Sequence, residues 1–304
     1  MMKKDVWPVM LTPYDDTGSI DMDSLARLVD WYEENGVGGL FAVCQSSEMF
    51  YLSLRERCLL AGSIKKRAHV PVIASGHVSV SREDQLEEIK QIADTGVDAV
   101  ILITNRLACD HETSEVWKEN LDWLLARIDP AVQLGFYECP VPYKRLISDE
   151  ELAFTASTGR FRFMKDTCCD LETLKKRAAI LEGSGMLLYN ANVSTLLDSV
   201  IAGCAGFSGV MANFHPDLYV WMLENYEKYP EQARDLQCLL TMCSMIERQA
   251  YPVNAKFHLK EMGIFRSCYA RSRVQAELSA TFIDEVCQME RLIGRARERI
   301  KELT

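Results

Sequence analysis

The sequence has no long apolar run and no excess of positive charge. Its longest apolar stretches, such as residues 97–103 with Asp98 inside them, are far shorter than the roughly 20 residues of a membrane span. Lys and Arg number 34 against 44 Asp and Glu, so the formal net charge is −10. Such a field repels phosphate backbones and anionic lipid, and we expect neither nucleic acid nor membrane as a partner.

Metal, disulfide and dinucleotide patterns are also missing. The five histidines have no His-x-x-x-His spacing, and the eleven cysteines contain no Cys-x-x-Cys pair. No Gly-x-Gly-x-x-Gly follows the first apolar segment, and Met1 to Pro8 does not have the pattern of a secretory leader. We therefore expect reduced thiols, a cytoplasmic location, and no metal ion or organic cofactor.

What the sequence does contain is an alternation of short apolar segments and helix-patterned segments over 304 residues. This alternation predicts parallel strands covered by helices, an α/β fold. Eight strands are predicted, at Val6 to Leu11, Gly39 to Val43, Val70 to Ala74, Ala99 to Ile103, Val132 to Tyr137, Phe161 to Lys165, Met186 to Asn190 and Gly206 to Val210. Gly36 and Gly96 each follow a predicted helix and precede a predicted strand, which favours a left-handed helix end at both joints.

Beyond His215 only helical patterns remain, with a stripe that includes Val286, Met289 and Ile293. Eight strand–helix units followed by helices predict a TIM (β/α)8 barrel with a C-terminal helical extension. We divide the chain into a catalytic barrel at residues 1–225 and the extension at residues 226–304.

In such a barrel the chemistry lies at the carboxyl ends of the strands, and one predicted strand ends in a lysine. Period-two alternation places Phe161, Phe163 and Lys165 on one face. If that face lines the barrel, burial lowers the pKa of the amine and leaves it free to attack a carbonyl as a Schiff-base lysine. Alternatively, Lys165 reaches water and pairs with Asp166 or Asp170.

Tyr137 ends the preceding predicted strand, directly before Glu138-Cys139-Pro140. Its phenol could move a proton to or from a substrate oxygen, or it could be a barrel-mouth aromatic whose hydroxyl is tied to backbone. Sequential strands are neighbours in a barrel, so Tyr137 and Lys165 are expected to lie side by side.

Several segments carry a family resemblance over nearly the whole chain. They are Pro8 to Pro13, Ser46 to Glu48, Tyr137-x-x-Pro140, Lys165, Ala202 to Gly206 with Ala212-Asn213, and Pro252 to Lys256. In their order and spacing the chain resembles the dihydrodipicolinate synthase and N-acetylneuraminate lyase family of class I, Schiff-base-forming barrels.

The resemblance implies roles for individual residues. Lys165 would form the Schiff base with a 2-oxo acid, Tyr137 would carry the proton, and Ser46 would orient the tyrosine or the substrate carboxylate. Gln45 and Ser47 fall in the family's carboxylate-binding loop, and Ser208 falls where the family points a backbone carbonyl into the site. A homotetramer built from dimers is implied as well. Because the net charge opposes an anionic substrate, the start of the helix after Glu48 is a further candidate for binding the carboxylate.

The chain departs from the synthase branch at two places. That branch has a tyrosine pair after strand four, where this chain has Thr104-Asn105-Arg106, and an arginine five residues after the strand-five tyrosine, where this chain has Pro142. We therefore predict a lyase or aldolase acting on pyruvate or another 2-oxo acid, and not a true dihydrodipicolinate synthase. Arg106, Lys144 and Arg145 are open candidates for a second anion contact.

Two other functions remain open. One is a Schiff-base dehydratase or decarboxylase acting on a 2-oxo sugar acid, and the other is a barrel that binds a 2-oxo acid without turnover. Four cysteines, Cys44, Cys139, Cys168 and Cys169, could gather at the barrel mouth as a soft-metal or redox site, or could simply fill tight packing positions.

Overall fold

The computed structural model describes residues 4–303, and the expectation of no secretory leader rests partly on residues 1–3, which lie outside this range. Eight parallel strands form one sheet in the order β1-β8-β7-β6-β5-β4-β3-β2. The strands are β1 (Asp5–Val6), β2 (Leu40–Val43), β3 (Val72–Ser75), β4 (Ala99–Ile103), β5 (Leu134–Tyr137), β6 (Phe161–Asp166), β7 (Leu187–Asn190) and β8 (Gly206–Phe207). A parallel bridge between Val9 and Phe41 joins the two ends of the sheet, which closes it into the predicted barrel.

Eleven α-helices accompany the strands within the described residues. They are α1 (Met22–Glu34), α2 (Leu54–Arg67), α3 (Arg82–Ala93), α4 (Ser114–Leu125), α5 (Asp149–Ser157), α6 (Leu171–Leu181), α7 (Leu196–Ile201), α8 (Pro216–Asn225), α9 (Pro230–Cys243), α10 (Val253–Glu261) and α11 (Ala280–Lys301). Helices α9–α11 follow the last strand–helix unit and form the C-terminal extension. Over residues 4–303, no helix combines the length and apolarity needed to cross a bilayer.

The helix ends follow local sequence signals. Asp21 caps α1 by accepting hydrogen bonds from the backbone of Asp23 and Ser24, each at 3.1 Å. Gly36 and Gly96 adopt φ values of +78° and +83°, so each allows a helix to end in the left-handed region just before a strand. The joint predicted from the two glycines is confirmed.

Aromatic side chains fill the barrel below its carboxyl end. The ring of Phe163 lies 5.3 Å from that of Trp7, 6.0 Å from that of Phe41 and 4.7 Å from that of Tyr189. These rings form a dense apolar layer one step below Lys165 on β6, since residues two apart on a strand share a face. The barrel interior is therefore packed at the level of these rings.

The expectation that Phe161, Phe163 and Lys165 share one face is wrong for Phe161. The pairing of β5 with β6 shifts register, so that Leu134 is opposite Phe161 whereas Gly135 is opposite Phe163. The extra residue reverses the alternation, and Phe161 stacks on Phe136 at 4.6 Å on the side of the sheet that faces the helices. Phe163 and Lys165 remain on the inner face.

The extension packs onto the barrel and reaches its carboxyl end. Buried residues of α9 and α11, including Leu240 and Ile293, belong to the same apolar cluster as the barrel strands. A 3-10 turn, Ser244–Arg248, follows α9 and contacts the segment Val210–Asn213 after β8. The division at residues 225 and 226 stays a prediction, because the two parts share one core.

Candidate active site

A cavity of about 520 Å³ opens at the carboxyl ends of the strands. Its floor includes Tyr137 and Lys165, and its walls come from the loops after β2, β5, β6, β7 and β8 and from the C-terminal extension. This is the end at which catalytic groups of TIM barrels lie. Other residues that line the cavity are Gln45, Ser46, Glu48, Phe50, Val141, Lys144, Glu247, Arg248, Tyr251, Ser272 and Arg273.

Lys165 is the buried amine that the sequence predicts. Its side chain is on the inner face of β6, the residue is 4% exposed, and burial lowers the pKa of its amine. Among the described residues, no carboxylate lies within ion-pair distance of this amine. Asp166, proposed above as an alternative partner, is instead buried in an ion pair with Arg177. Asp170 caps α6 by accepting from Thr173 N at 2.8 Å.

Tyr137 lies beside the amine. The Lys165 Nζ atom is 4.2 Å from the centre of the Tyr137 ring, because Tyr137 and Lys165 are paired residues of β5 and β6. Burial raises the pKa of the phenol well above its usual value, so it is protonated at neutral pH. The thiols of Cys44 and Cys139 lie near both groups, and burial raises the pKa of Cys139 to about 11. These thiols are therefore neutral.

The loop after β2 carries three predicted site residues, of which two line the cavity and one does not. Gln45 and Ser46 line the cavity, and the Ser46 side chain lies near the phenol of Tyr251. The Ser47 hydroxyl closes the turn, since it accepts from Cys44 N at 2.6 Å and donates to Cys44 O at 2.7 Å. Contact between Ser47 and a substrate stays a prediction.

Ser208 lies just after β8 and does not line the cavity. Its backbone N–H donates to Asn190 O at 2.9 Å, while its buried hydroxyl has no hydrogen-bond partner among residues 4–303. The role proposed for its carbonyl stays a prediction.

The start of α2, the helix after Glu48 that was considered as a carboxylate site, does not line the cavity, and its role in binding an anion stays a prediction. Ser53 and Glu56 form a reciprocal capping box, in which Ser53 N donates to Glu56 Oε2 at 2.9 Å. Arg271 also donates to Glu56 at 2.7 Å. The Ser53 N–H is therefore occupied by the Glu56 carboxylate, and the Glu56 N–H is occupied by the Ser53 hydroxyl at 3.2 Å.

Glu48 instead joins the loop after β2 to the extension. It adopts a left-handed backbone conformation, with φ of +63°, and forms a buried ion pair with Lys256 of α10. Its second oxygen accepts from Ser272 N at 2.6 Å, and the Lys256 amine also donates to Tyr269 O at 2.9 Å. This pair holds the C-terminal extension over the rim of the cavity.

The extension supplies lining residues that the sequence analysis missed. Tyr251 receives a hydrogen bond from Asn213 Nδ2 at 3.1 Å in addition to its contact with Ser46. Glu247 and Arg248 line the cavity from the 3-10 turn. A signal was present, because Tyr251 directly precedes the Pro252 to Lys256 segment that carried part of the resemblance. Nothing in the sequence, however, indicated that a segment beyond the eight strand–helix units returns to the strand ends.

The loop after β5 is held by Asn105, which follows β4. The Asn105 amide donates to the carbonyls of Cys139, Val141 and Tyr143 at 2.8, 2.9 and 2.7 Å. Asn105 thus shapes the wall formed by Val141 and is not itself part of the lining.

Of the three open candidates for an anion contact, one lines the cavity. Lys144 does, with its amine donating to Thr167 O. Arg145 is instead paired with Glu151 at 2.8 Å, and Arg106 lies over the ring of Phe50.

The chain is similar in sequence to known proteins over most of its length. The model of the Dihydrodipicolinate synthetase family matches residues 2–107. A 4-hydroxy-tetrahydrodipicolinate synthase of Saccharophagus degradans is 25% identical over 263 residues, covering 84% of this chain and 87% of that protein. One of Thiobacillus denitrificans is 27% identical over 265 residues, with 84% and 86% covered. The chain is therefore similar to the dihydrodipicolinate synthetase family, through the family model at its N-terminal third and through relatives that cover most of its length.

Solved structures agree on the fold. The dihydrodipicolinate synthase of Acinetobacter baumannii, solved in complex with pyruvate, superposes with a TM-score of 0.84 at 22% identity, covering 94% of this chain and 97% of that one. The predicted barrel with a C-terminal helical extension is thus confirmed. Within the described residues, no group of three or more His, Cys, Asp or Glu side chains could hold a metal ion, and the eleven cysteines form no disulfide.

Proposed function

We propose that the chain is a class I, lysine Schiff-base lyase or aldolase acting on pyruvate or another 2-oxo acid. One observation carries the proposal: the amine of Lys165 is buried at the cavity floor without a carboxylate partner among the described residues, 4.2 Å from the ring of Tyr137. Burial lowers the pKa of this amine, and a free amine is the nucleophile that attacks a keto carbon. The pyruvate complex of the Acinetobacter baumannii relative supports the substrate class.

The proposed reaction assigns a step to each neighbour. Lys165 Nζ attacks the keto carbon to give a carbinolamine, and the protonated phenol of Tyr137 donates the proton with which the hydroxyl leaves as water. The resulting iminium withdraws electrons from the adjacent carbon. The loop that carries Gln45, Ser46 and Ser47 is proposed to bind the substrate carboxylate at the edge of the cavity.

The acceptor of a true dihydrodipicolinate synthase fits this cavity poorly. Thr104 donates its hydroxyl to Arg145 O at 2.6 Å and Asn105 holds the loop after β5, so neither replaces the tyrosine pair that the resemblance implies. Pro142 offers no cation for a second carboxylate. We infer that the relatives' overall chemistry is retained for the 2-oxo acid and that the second substrate differs.

Borohydride trapping tests the proposal. Wild-type protein incubated with pyruvate and sodium borohydride is expected to gain the mass of one reduced pyruvate adduct, mapped to the Lys165 peptide. Lys165→Ala should gain none, whereas Lys144→Ala, which removes another lysine of the same cavity, should still be labelled. A barrel that only binds the acid would give no adduct. Product analysis then separates cleavage from dehydration or decarboxylation. Light scattering tests the predicted homotetramer.

A further inference from the structure

We propose that Arg177 is a positioning residue of the reaction, which holds the phenol of Tyr137 in place beside the amine of Lys165. The proposal rests on the proposed function, since it concerns the same two side chains. Arg177 lies on α6 and does not line the cavity. It therefore acts through the ends of the strands and not on the substrate.

A buried cluster of three charged side chains lies next to the two proposed reactive residues. Glu138 directly follows Tyr137 at the end of β5, and Asp166 directly follows Lys165 at the end of β6. Arg177 Nη2 lies 2.8 Å from Glu138 Oε1, and Arg177 Nη1 bonds to Asp166 Oδ2. The Arg177 side chain is 2% exposed, and the two carboxylate side chains are fully buried. One guanidinium thus joins the ends of the two strands.

The cluster lies on the opposite face of the sheet from Tyr137 and Lys165. Consecutive residues of a strand point to opposite faces, so side chains next to two inward-facing residues point outward, toward the helices. Glu138 and Asp166 follow this rule, since both pair with a residue of α6. Any movement of one strand end relative to the other therefore has to break a bond to Arg177.

The same cluster closes the base of the loop after β5. Arg177 Nη2 donates to Ile147 O at 2.7 Å, and Glu138 Oε1 accepts from Ile147 N at 2.9 Å. The second oxygen of Glu138 accepts from Thr167 N at 2.8 Å, just after β6. Residues 138 and 147 are thus tied to each other and to the end of β6. The loop that begins directly after Tyr137 cannot shift without disturbing the cluster.

Stability alone does not account for a buried cluster of this kind. Burial removes the hydration of all three charges, and apolar side chains of similar size often stabilise a fold as well or better. The guanidinium provides fixed geometry instead, because its planar fork bonds two carboxylates in set directions. The proposed reaction needs such geometry, since a displacement of about 1 Å at a reacting group can lower a rate about 100-fold. The Lys165 amine is 4.2 Å from the Tyr137 ring.

Exchange of the pyruvate methyl protons in D2O, followed by NMR, tests the proposal. Arg177→Lys keeps the positive charge but loses the planar fork, and it should slow exchange at saturating pyruvate by about 10- to 100-fold. In a Tyr137→Phe background the same substitution should change the rate by less than about twofold, because no phenol is left to position. The substrate itself moves with Lys165, to which it is bonded. A merely structural role would not depend on the background.

Arg57→Lys is the matched control. Arg57 forms a buried ion pair with Glu88 at 2.6 Å, between α2 and α3, and neither residue lines the cavity. This control makes the same change in a buried ion pair and should exchange protons at the wild-type rate. A second cluster variant, Glu138→Gln/Asp166→Asn/Arg177→Met, leaves no uncompensated charge inside. It should be folded by circular dichroism and should slow exchange at least as much as Arg177→Lys.

Three outcomes overturn the inference. They are a wild-type exchange rate in either folded cluster variant, an equal slowing by Arg177→Lys with and without the Tyr137 phenol, and an equal slowing by Arg57→Lys. If wild-type protein is not trapped by pyruvate and borohydride, the proposed function itself fails, and that result is recognisable without any Arg177 variant.

Discussion

Replacement of Lys256 by methionine should destabilise the protein strongly, because it leaves the Glu48 carboxylate buried without its cation. Glu48 is 3% exposed and Lys256 is fully buried. After the change, Glu48 keeps one described contact, the backbone N–H of Ser272 at 2.6 Å. Removal of one partner of a buried ion pair costs about 3–5 kcal/mol of unfolding free energy. Glu48→Gln should also be destabilising, since the buried Lys256 amine loses its counter-charge and keeps only neutral partners, among them Tyr269 O at 2.9 Å and the face of the Tyr14 ring at 4.4 Å.

The double variant Glu48→Gln/Lys256→Met should recover most of that loss, because no uncompensated charge is left inside. Urea-induced unfolding followed by circular dichroism gives the four free energies of a double-mutant cycle. Lys175→Met is the control: it removes an amine that is paired with Glu172 on the surface of α6, where an ion pair contributes about 0–1 kcal/mol. The reasoning is refuted if Lys256→Met costs no more than Lys175→Met, or if the two buried substitutions are additive.

Three further predictions concern the floor and the walls of the cavity. Because burial lowers the pKa of the Lys165 amine, the rate of pyruvate trapping should increase with pH and level off at a lower pH than it would for an exposed lysine. A rise that follows the titration of an exposed lysine would contradict this. Tyr137→Phe should slow exchange of the pyruvate methyl protons by about 100-fold or more as measured by NMR, since the proton donor is lost; an unchanged rate would remove the phenol from the mechanism. Asn105→Leu should lower the free energy of unfolding, measured in urea, by about 1–3 kcal/mol, because three loop carbonyls lose their donor. Ser208→Ala should change it by less than about 0.5 kcal/mol, because the Ser208 hydroxyl has no partner among the described residues. A larger loss for Ser208→Ala than for Asn105→Leu would contradict the hydrogen-bond assignments.

The strands were predictable because apolar segments of a parallel barrel are buried on both faces. Every predicted strand overlaps an observed one, and β4 (Ala99–Ile103) has the predicted bounds. The first and last strands are shorter than predicted, since only Asp5–Val6 and Gly206–Phe207 pair regularly. The register shift opposite Gly135 was not predictable, because a bulge depends on how two strands meet and leaves no mark in the period of either.

Lys165 and Tyr137 were found in the sequence because each closes an apolar run, where a polar side chain stands out. Glu247 was not found, because a glutamate in a helical segment resembles any solvated surface residue. Glu247 lines the cavity because the chain turns back to the strand ends after α9, about 110 positions beyond Tyr137. For Ser47, the sequence predicted a substrate contact from its position in the loop after β2. In the structure its hydroxyl instead closes the turn of that loop.

The local sequence thus determined the barrel, the order of its strands and the two side chains at its carboxyl end that are proposed to be catalytic. These properties depend on periodicity and burial, which adjacent residues encode. The pairing of Glu48 with Lys256, the shape of the wall held by Asn105 and the return of Glu247 to the cavity were decided only in the folded molecule. Each joins groups that are distant in the chain, and only packing of the extension onto the barrel brings them within reach of one another.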